Sequence, residues 1–166
     1  MVQLLIGLAW ASDADITTGV VEYGNGNYER AALKLQEGLA DPSALKARNL
    51  AKGWLYLGKV RLQQEDFLAA GEALSQARQA DAGGDQAREI DAEVERLLPY
   101  LRMGSLQAMN QARGSDGPEA SRLMATSGLW ATTALQLRRD DYLCLDLRGQ
   151  ALDGLGRKEE AVADFT

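Results

Sequence analysis

A fixed pattern of small, apolar and turn-forming positions occurs three times along the chain. The first two copies lie 39 residues apart, which is the separation of Gly19 and Gly58. The type of residue differs between them only at Glu65, which takes the place of Gly26. Close helix crossings need small residues, so the pattern predicts antiparallel helical hairpins in which Gly58 faces Ala70. The copies are Gly19, Gly26, Tyr28, Ala31 and Leu35; Gly58, Glu65, Phe67, Ala70 and Leu74; and Gly149, Leu152, Gly156, Lys158, Ala161 and Phe165, where Gly149 should face Ala161.

Turn-forming residues separate the hairpins. Residues 24–27 tolerate the positive φ that a tight connection between helices needs, and residues 41–43 should end one helix and cap the next. We also expect Pro99 to break the helix that starts near residue 85. Four hairpins are predicted, at about residues 13–41, 43–82, 86–138 and 141–166. The third is irregular because residues 113–118 form an insertion-like loop, and the last is cut short.

Composition supports an all-α fold and excludes several functional classes. Proline occurs only three times, and residues that favour strands are scarce. The net charge of -6, without a basic stripe, argues against nucleic-acid binding. With no His and one Cys, neither an intrachain disulfide nor a metal cage of these ligands is expected. Cys144 is predicted to be a small core residue.

The apolar run at residues 2–11 has two interpretations. Small residues precede Ser12, as at a signal-peptide cleavage site, but the basic segment that normally comes first is missing. The run is either a signal-peptide remnant, with a periplasmic or secreted protein, or a helix that caps the first hairpin of a cytoplasmic one. Because it is too short to span a bilayer, no transmembrane segment is expected.

The second copy of the pattern resembles the tetratricopeptide repeat (TPR) family. It departs from the family pattern at Arg61, where an aromatic is usual, and at Glu65, where the turn glycine is usual. The resemblance covers roughly residues 13–82 and 141–166, and it implies a single domain, a helical-hairpin solenoid, from residue 12 to 166. The matching residues are Trp54, Leu57, Gly58, Phe67, Ala70, Leu74 and Ala77.

The resemblance also implies a concave groove, lined by the first helix of each hairpin, that binds a peptide or partner protein. Lys52 and Lys59 lie seven residues apart, which would suit an acidic ligand segment. Ile16 and Val20 occupy positions where one chaperone-type subgroup places a carboxylate clamp, so that subgroup is disfavoured. The groove positions carried over are Ile16, Val20 and Tyr23; Lys52, Leu55, Lys59 and Leu62; and Asp146, Gln150 and Asp153. Of these, Ile16, Val20, Leu55 and Leu62 could equally pack against a neighbouring repeat.

No pattern indicates catalysis or a cofactor. The carboxylates lie in polar surroundings that would not shift their pKa values, and no phosphate loop, dinucleotide fingerprint or nucleophile elbow occurs. We therefore expect a non-catalytic interaction scaffold, with an accessory or regulatory domain of a larger enzyme or membrane-associated polypeptide as the alternative. A hydrolase that uses Asp and Glu remains only a formal hypothesis. The incomplete last hairpin suggests a fragment of a longer array or self-association through that end.

Overall fold

The computed structural model describes residues 2–165, and the side chains of residues 13–165. Throughout this part of the chain the regular structure is helical, so the all-α prediction is confirmed. The helices are α1 (Val2–Gly24), α2 (Tyr28–Leu39), α3 (Ala47–Gln63), α4 (Phe67–Ala80), α5 (Ala87–Arg113), α6 (Gly117–Leu137), α7 (Tyr142–Gly154) and α8 (Lys158–Phe165), with a 3-10 turn at Pro42–Ala44.

Helices adjacent in sequence pack against each other, as α1 does on α2, α3 on α4, and α7 on α8. The residues form two compact units, Met1–Glu95 and Arg96–Thr166, whose boundary falls inside α5. The proposed role of residues 1–11, as a signal remnant or a cap, concerns side chains outside the described ones and stays a prediction. Across the described residues, no helix combines the length and hydrophobicity that crossing a membrane requires.

Three equivalent turns join the helices of the three matching hairpins. The turn residue has a positive φ of 78° at Gly26, 58° at Glu65 and 77° at Gly156. In each turn the next amide donates to a carbonyl five residues back; Asp66, for example, donates to Arg61 at 2.9 Å. This is the Schellman arrangement, which satisfies carbonyls at a helix end. Glu65 therefore adopts the backbone conformation that glycine provides in the other two copies.

The hairpins close through glycines that meet large side chains sixteen residues later. A Cβ added to Gly58 would lie 2.9 Å from the Leu74 side chain and 3.5 Å from the Ala70 carbonyl oxygen, so the predicted approach of Gly58 to Ala70 is confirmed. The glycine of the last hairpin differs from expectation. The atoms nearest to Gly149 belong to the ring of Phe165 rather than to Ala161.

Pro99 does not break its helix, contrary to expectation. Helix α5 continues from Ala87 to Arg113 with Pro99 inside it. The proline ring is exposed. Leu97, Leu98 and Leu101 beside it are each at most 1% exposed. Proline removes one backbone hydrogen bond, but the burial of three leucines in a continuous helix outweighs that loss.

The irregular third hairpin has its own close contact. A Cβ on Gly104 of α5 would lie 2.5 Å from the indole ring of Trp130 on α6. The next residue of α5 is Ser105, whose buried hydroxyl donates to the Ser127 carbonyl oxygen, one turn before Trp130 on α6, at 2.9 Å. Small residues thus allow α5 and α6 to approach, although their spacing differs from that in the other hairpins.

Candidate functional site

In the first unit, α1 and α3 lie side by side and run in the same direction. Asn49, near the start of α3, donates its side-chain amide to the carboxylate of Asp13, midway along α1, at 2.9 Å. Further along both helices, the rings of Tyr23 and Tyr56 meet edge to face with centroids 5.5 Å apart. Contacts that advance in the same order along both helices require a parallel arrangement.

Helices α3 and α5 repeat this relationship. Gln86, just before α5, donates its side-chain amide to the Arg48 carbonyl oxygen at 3.1 Å. Later on both helices, Lys59 donates to Glu89, and its ammonium lies 4.0 Å from Glu93. In the first unit, therefore, alternate helices α1, α3 and the start of α5 are parallel neighbours.

Lys59 lies at the centre of a cluster of aromatic rings and carboxylates. Its Nζ is 4.8 Å from the Tyr56 ring centroid and 6.0 Å from that of Tyr23, distances at which a cation is attracted to a ring face. Burial lowers the pKa of Lys59, but the hydrogen bond to Glu89 and the nearby negative charges together outweigh burial, and the pKa lies above its usual value. Lys59 is only 9% exposed, so its charge is balanced inside the protein.

The predicted attraction of an acidic ligand to Lys52 and Lys59 needs correction, because Lys59 is already paired with Glu89 and Glu93. Lys52 is half-buried, with Nζ 5.9 Å from the Tyr56 ring centroid. It borders a groove of about 420 Å³, in which Arg48 Nε lies 4.0 Å from the Asp85 carboxylate. The lining residues are Arg48, Asn49, Lys52, Tyr56, Asp85, Gln86 and Glu89.

The four apolar groove residues of the first unit have different environments. Ile16 is 2% exposed and Leu55 is fully buried, so neither is available to a partner. A Cβ on Gly53 would lie 2.7 Å from Ile16 Cδ1, which places Ile16 between α1 and α3. Val20 packs half-buried against the core, and Leu62 is also half-buried. Ile16 therefore packs between helices, which is the alternative to partner binding that the sequence left open for it.

In the second unit, α5 and α7 are parallel neighbours as well. Arg102 Nε donates to the Asp141 carboxylate at 2.7 Å, at the start of α7. Near the end of α5, Arg113 donates to the Gln150 amide oxygen at 2.6 Å. The two bonds advance in the same order along both helices.

Helix α7 carries the remaining predicted groove residues. Asp146 and Asp153 are exposed, and Gln150 between them is half-buried and donates to Asp146 at 2.8 Å. The structure thus separates the ten predicted positions into two sets, seven in the first unit and three in the second.

Several exposed apolar residues of the second unit were not assigned to a binding surface from the sequence. Met103 and Leu106 on α5 and Leu143 on α7 are 52%, 40% and 43% exposed. In sequence, Met103 and Leu106 lie between Arg102 and Arg113, the two α5 residues that are hydrogen-bonded to α7, and Leu143 lies two residues after Asp141. The repeat pattern is weak over α5, so it assigned no groove position there. In the sequence, apolar residues at helical spacing such as these look the same as the buried face of a helix.

Asp141 and Cys144 form a buried group behind this surface. Burial raises the pKa of Asp141, but the hydrogen bonds from Arg102 and the Cys144 amide, together with the positive charge of Arg102, outweigh burial, and the pKa lies below its usual value. Burial raises the pKa of the Cys144 thiol to about 12, so it stays protonated at neutral pH. The prediction that Cys144 is a core residue is confirmed.

Two chemical properties of the described side chains bear on what these surfaces can do. Among the described side chains, no group of three or more His, Cys, Asp or Glu could hold a metal ion. The pKa of Asp141 is shifted away from neutrality, as is that of Cys144. Comparison of the sequence with models of known protein families and with curated proteins found no match.

Proposed function

We propose that this chain is a TPR-like repeat protein that binds a peptide or partner protein on its alternate helices. In the first unit the binding face would lie on α1, α3 and the start of α5, and in the second unit on α5 and α7. The proposal is supported by the repeat of helical hairpins and by the resemblance of residues 13–82 and 141–166 to the family.

One observation carries the proposal: alternate helices are parallel neighbours within each unit, as the Arg102–Asp141 and Arg113–Gln150 bonds illustrate. Parallel neighbours place equivalent exposed side chains next to one another. A ligand that lies across them can contact two helices at once, which is how helical repeats provide extended binding surfaces.

The residues on these faces have the character of binding residues. Tyr23, Tyr56 and Lys52 are half-buried in the first unit. Tyrosine combines a large apolar ring with a hydrogen-bonding tip, and it is enriched where proteins bind each other. In the second unit Met103 supplies a flexible apolar contact, a type common at adaptable binding surfaces.

The experiment is selection of random peptides on the purified chain, followed by backbone amide NMR with each selected peptide. We expect peptide-dependent shifts at the exposed face of α1 and α3, or of α5 and α7. Failure to select any peptide, or shifts confined to α2, α4, α6 and α8, would contradict the proposal.

Variants can then test the first-unit face. Lys52→Ala should weaken the binding of peptides that shift the amides near Tyr56, by about threefold to tenfold, because it removes a half-buried side chain that borders the groove. Lys46→Ala is the matched control, since Lys46 is exposed and lies just before the first residue of α3. Lys59 is unsuitable for this test because its substitution would disturb the contact between α3 and α5.

A further inference from the structure

The exposed face between α5 and α7 of the second unit combines apolar and acidic side chains. We call it the α5–α7 surface and define it by Met103, Leu106, Leu143, Asp146 and Asp153. All three apolar residues are at least 40% exposed. Two hydrogen-bonded bridges hold the two helices together, so this face is preformed.

The spacing of these residues places them on the outer side of their helices. Met103 and Leu106 are three residues apart, nearly one turn, and Leu98 and Leu101 mark the buried side of α5. Asp146 and Asp153 are seven residues apart, two turns, on the side of α7 opposite Cys144 and Leu147. An apolar strip therefore adjoins an acidic strip.

The charge on this surface is mainly negative. Neither Asp146 nor Asp153 forms an ion pair with another described residue, and Asp146 is held only by the amide of Gln150. The cation Arg102 is neutralised by Asp141. Arg113 brings one positive charge at the end of α5, against two carboxylates. A ligand with positively charged side chains would neutralise the excess negative charge of this surface.

Asp153 lies where its charge disfavours its own helix. It is in the last turn of α7, which carries no basic residue. The C-terminal end of a helix carries a partial negative charge, so a carboxylate there is unfavourable and a cation favourable. A bound cation next to Asp153 would relieve that repulsion, which is a second reason to expect a positively charged ligand.

We propose that the α5–α7 surface binds a cationic amphipathic helix, with apolar side chains against Met103, Leu106 and Leu143 and lysines or arginines beside Asp146 and Asp153. This inference rests on the proposed function and names the chemistry of its partner. It is opposite in sign to the acidic ligand expected from Lys52 and Lys59. Helix-in-groove recognition uses this division between an apolar anchor and a charged flank.

The test uses three fluorescently labelled peptides of about 18 residues, long enough to form helix on binding. One is an amphipathic Leu/Lys helix, the second replaces Lys with Glu, and the third replaces Leu with Ser. Fluorescence anisotropy with the whole chain should give an affinity for the Leu/Lys peptide about tenfold or more above that for either of the others.

Variants locate the binding. Met103→Gln should weaken binding of the Leu/Lys peptide about fivefold, because it removes an apolar contact while keeping the length of the side chain. Asp146→Asn combined with Asp153→Asn should weaken it about threefold to fivefold. The matched control combines Glu72→Gln with Glu159→Gln, two exposed carboxylates on α4 and α8, and should leave the affinity unchanged. Leu143→Gln provides a second apolar variant if Met103→Gln unfolds.

Four outcomes would overturn this inference. The Leu/Glu peptide could bind as tightly as the Leu/Lys peptide, the Glu72 and Glu159 control could weaken binding as much as the Asp variants, or light scattering could show a second copy of the chain occupying the face. Selection of acidic peptides that shift the amides of α7 would also overturn it, yet leave the proposed function intact. Absence of any selected peptide would instead count against the proposed function itself.

Discussion

Gly58 and Leu74 meet where α3 crosses α4, so closely that a Cβ on Gly58 would lie 2.9 Å from both Cγ and Cδ2 of Leu74. The same relationship joins Gly19 to Leu35. We expect Gly58→Leu to lower the free energy of unfolding by about 1–3 kcal/mol, because the larger side chain would force α3 and α4 apart. Urea unfolding followed by circular dichroism measures this change.

Gly24 offers the control, since nothing lies within 4 Å of a Cβ added there. Gly24→Leu should change the free energy of unfolding by no more than about 0.5 kcal/mol. An unfolding midpoint that Gly58→Leu leaves unaltered would show that the close crossing is assigned wrongly.

Glu65 adopts a φ of 58°, in the left-handed region. Glu65→Gly should raise the free energy of unfolding by about 1 kcal/mol, because glycine adopts this conformation without the clash of a Cβ atom. Glu72→Gly, the same substitution at an exposed position inside α4, should lower it by about 1 kcal/mol. Changes of the same sign at the two sites in urea unfolding would refute the explanation.

Arg102 neutralises the buried carboxylate of Asp141. Arg102→Met should lower the free energy of unfolding by about 2–3 kcal/mol at pH 7, somewhat less than for a fully buried pair because Arg102 is partly exposed. Arg122→Met breaks an exposed pair with Glu119 and should cost no more than about 0.5 kcal/mol. Equal losses in the two variants would rule out a special role for Arg102.

The same pair predicts a dependence on pH. The folded pKa of Asp141 lies below its usual value, so its stabilising contribution is present above the unfolded pKa of about 3.9 and is lost as pH falls through the folded pKa. The difference in unfolding free energy between Arg102→Met and the unaltered protein should therefore shrink below about pH 4. Urea unfolding at pH 7 and at acidic pH measures it, and a constant difference would contradict the assignment.

Lys59 balances Glu89 and Glu93 at a buried position. Lys59→Glu should lower the free energy of unfolding by about 2–3 kcal/mol, because a third carboxylate would replace the cation. Lys52→Glu, two turns earlier on the same face of α3 and more exposed, should cost no more than about 0.5 kcal/mol. Thermal unfolding followed by circular dichroism compares the two, and a Lys59→Glu protein as stable as Lys52→Glu would show that the cluster contributes nothing.

The thiol of Cys144 is fully buried, and burial raises its pKa to about 12. We expect no reaction with a thiol reagent at pH 8 in the folded protein and one equivalent after unfolding in urea, because the thiolate is the reactive form. Ser121→Cys adds an exposed thiol on α6 and should react at once. Rapid reaction of Cys144 in the folded chain would disprove its burial.

The turns were predictable because they depend on local residues, as Gly26 and Gly156 show. Pro99 was misjudged because the burial of its leucine neighbours is a tertiary effect. For the candidate surfaces, the positions of Asp146 and Gln150 followed from the repeat, whereas Met103 and Leu106 did not. The repeat spacing fades over α5, and an apolar residue on an exposed face looks the same in sequence as one in a core.

The order of small, apolar and turn residues by itself determined that this chain forms helices, where three of the turns lie, and that Gly58 approaches Ala70. Those features depend on residues within about one hairpin of each other. Tertiary structure alone decided that Lys59 is balanced by Glu89, thirty residues away, and that Met103 and Leu106 stay exposed beside α7. Burial and charge pairing depend on which helices become neighbours, and that is settled only when the hairpins pack.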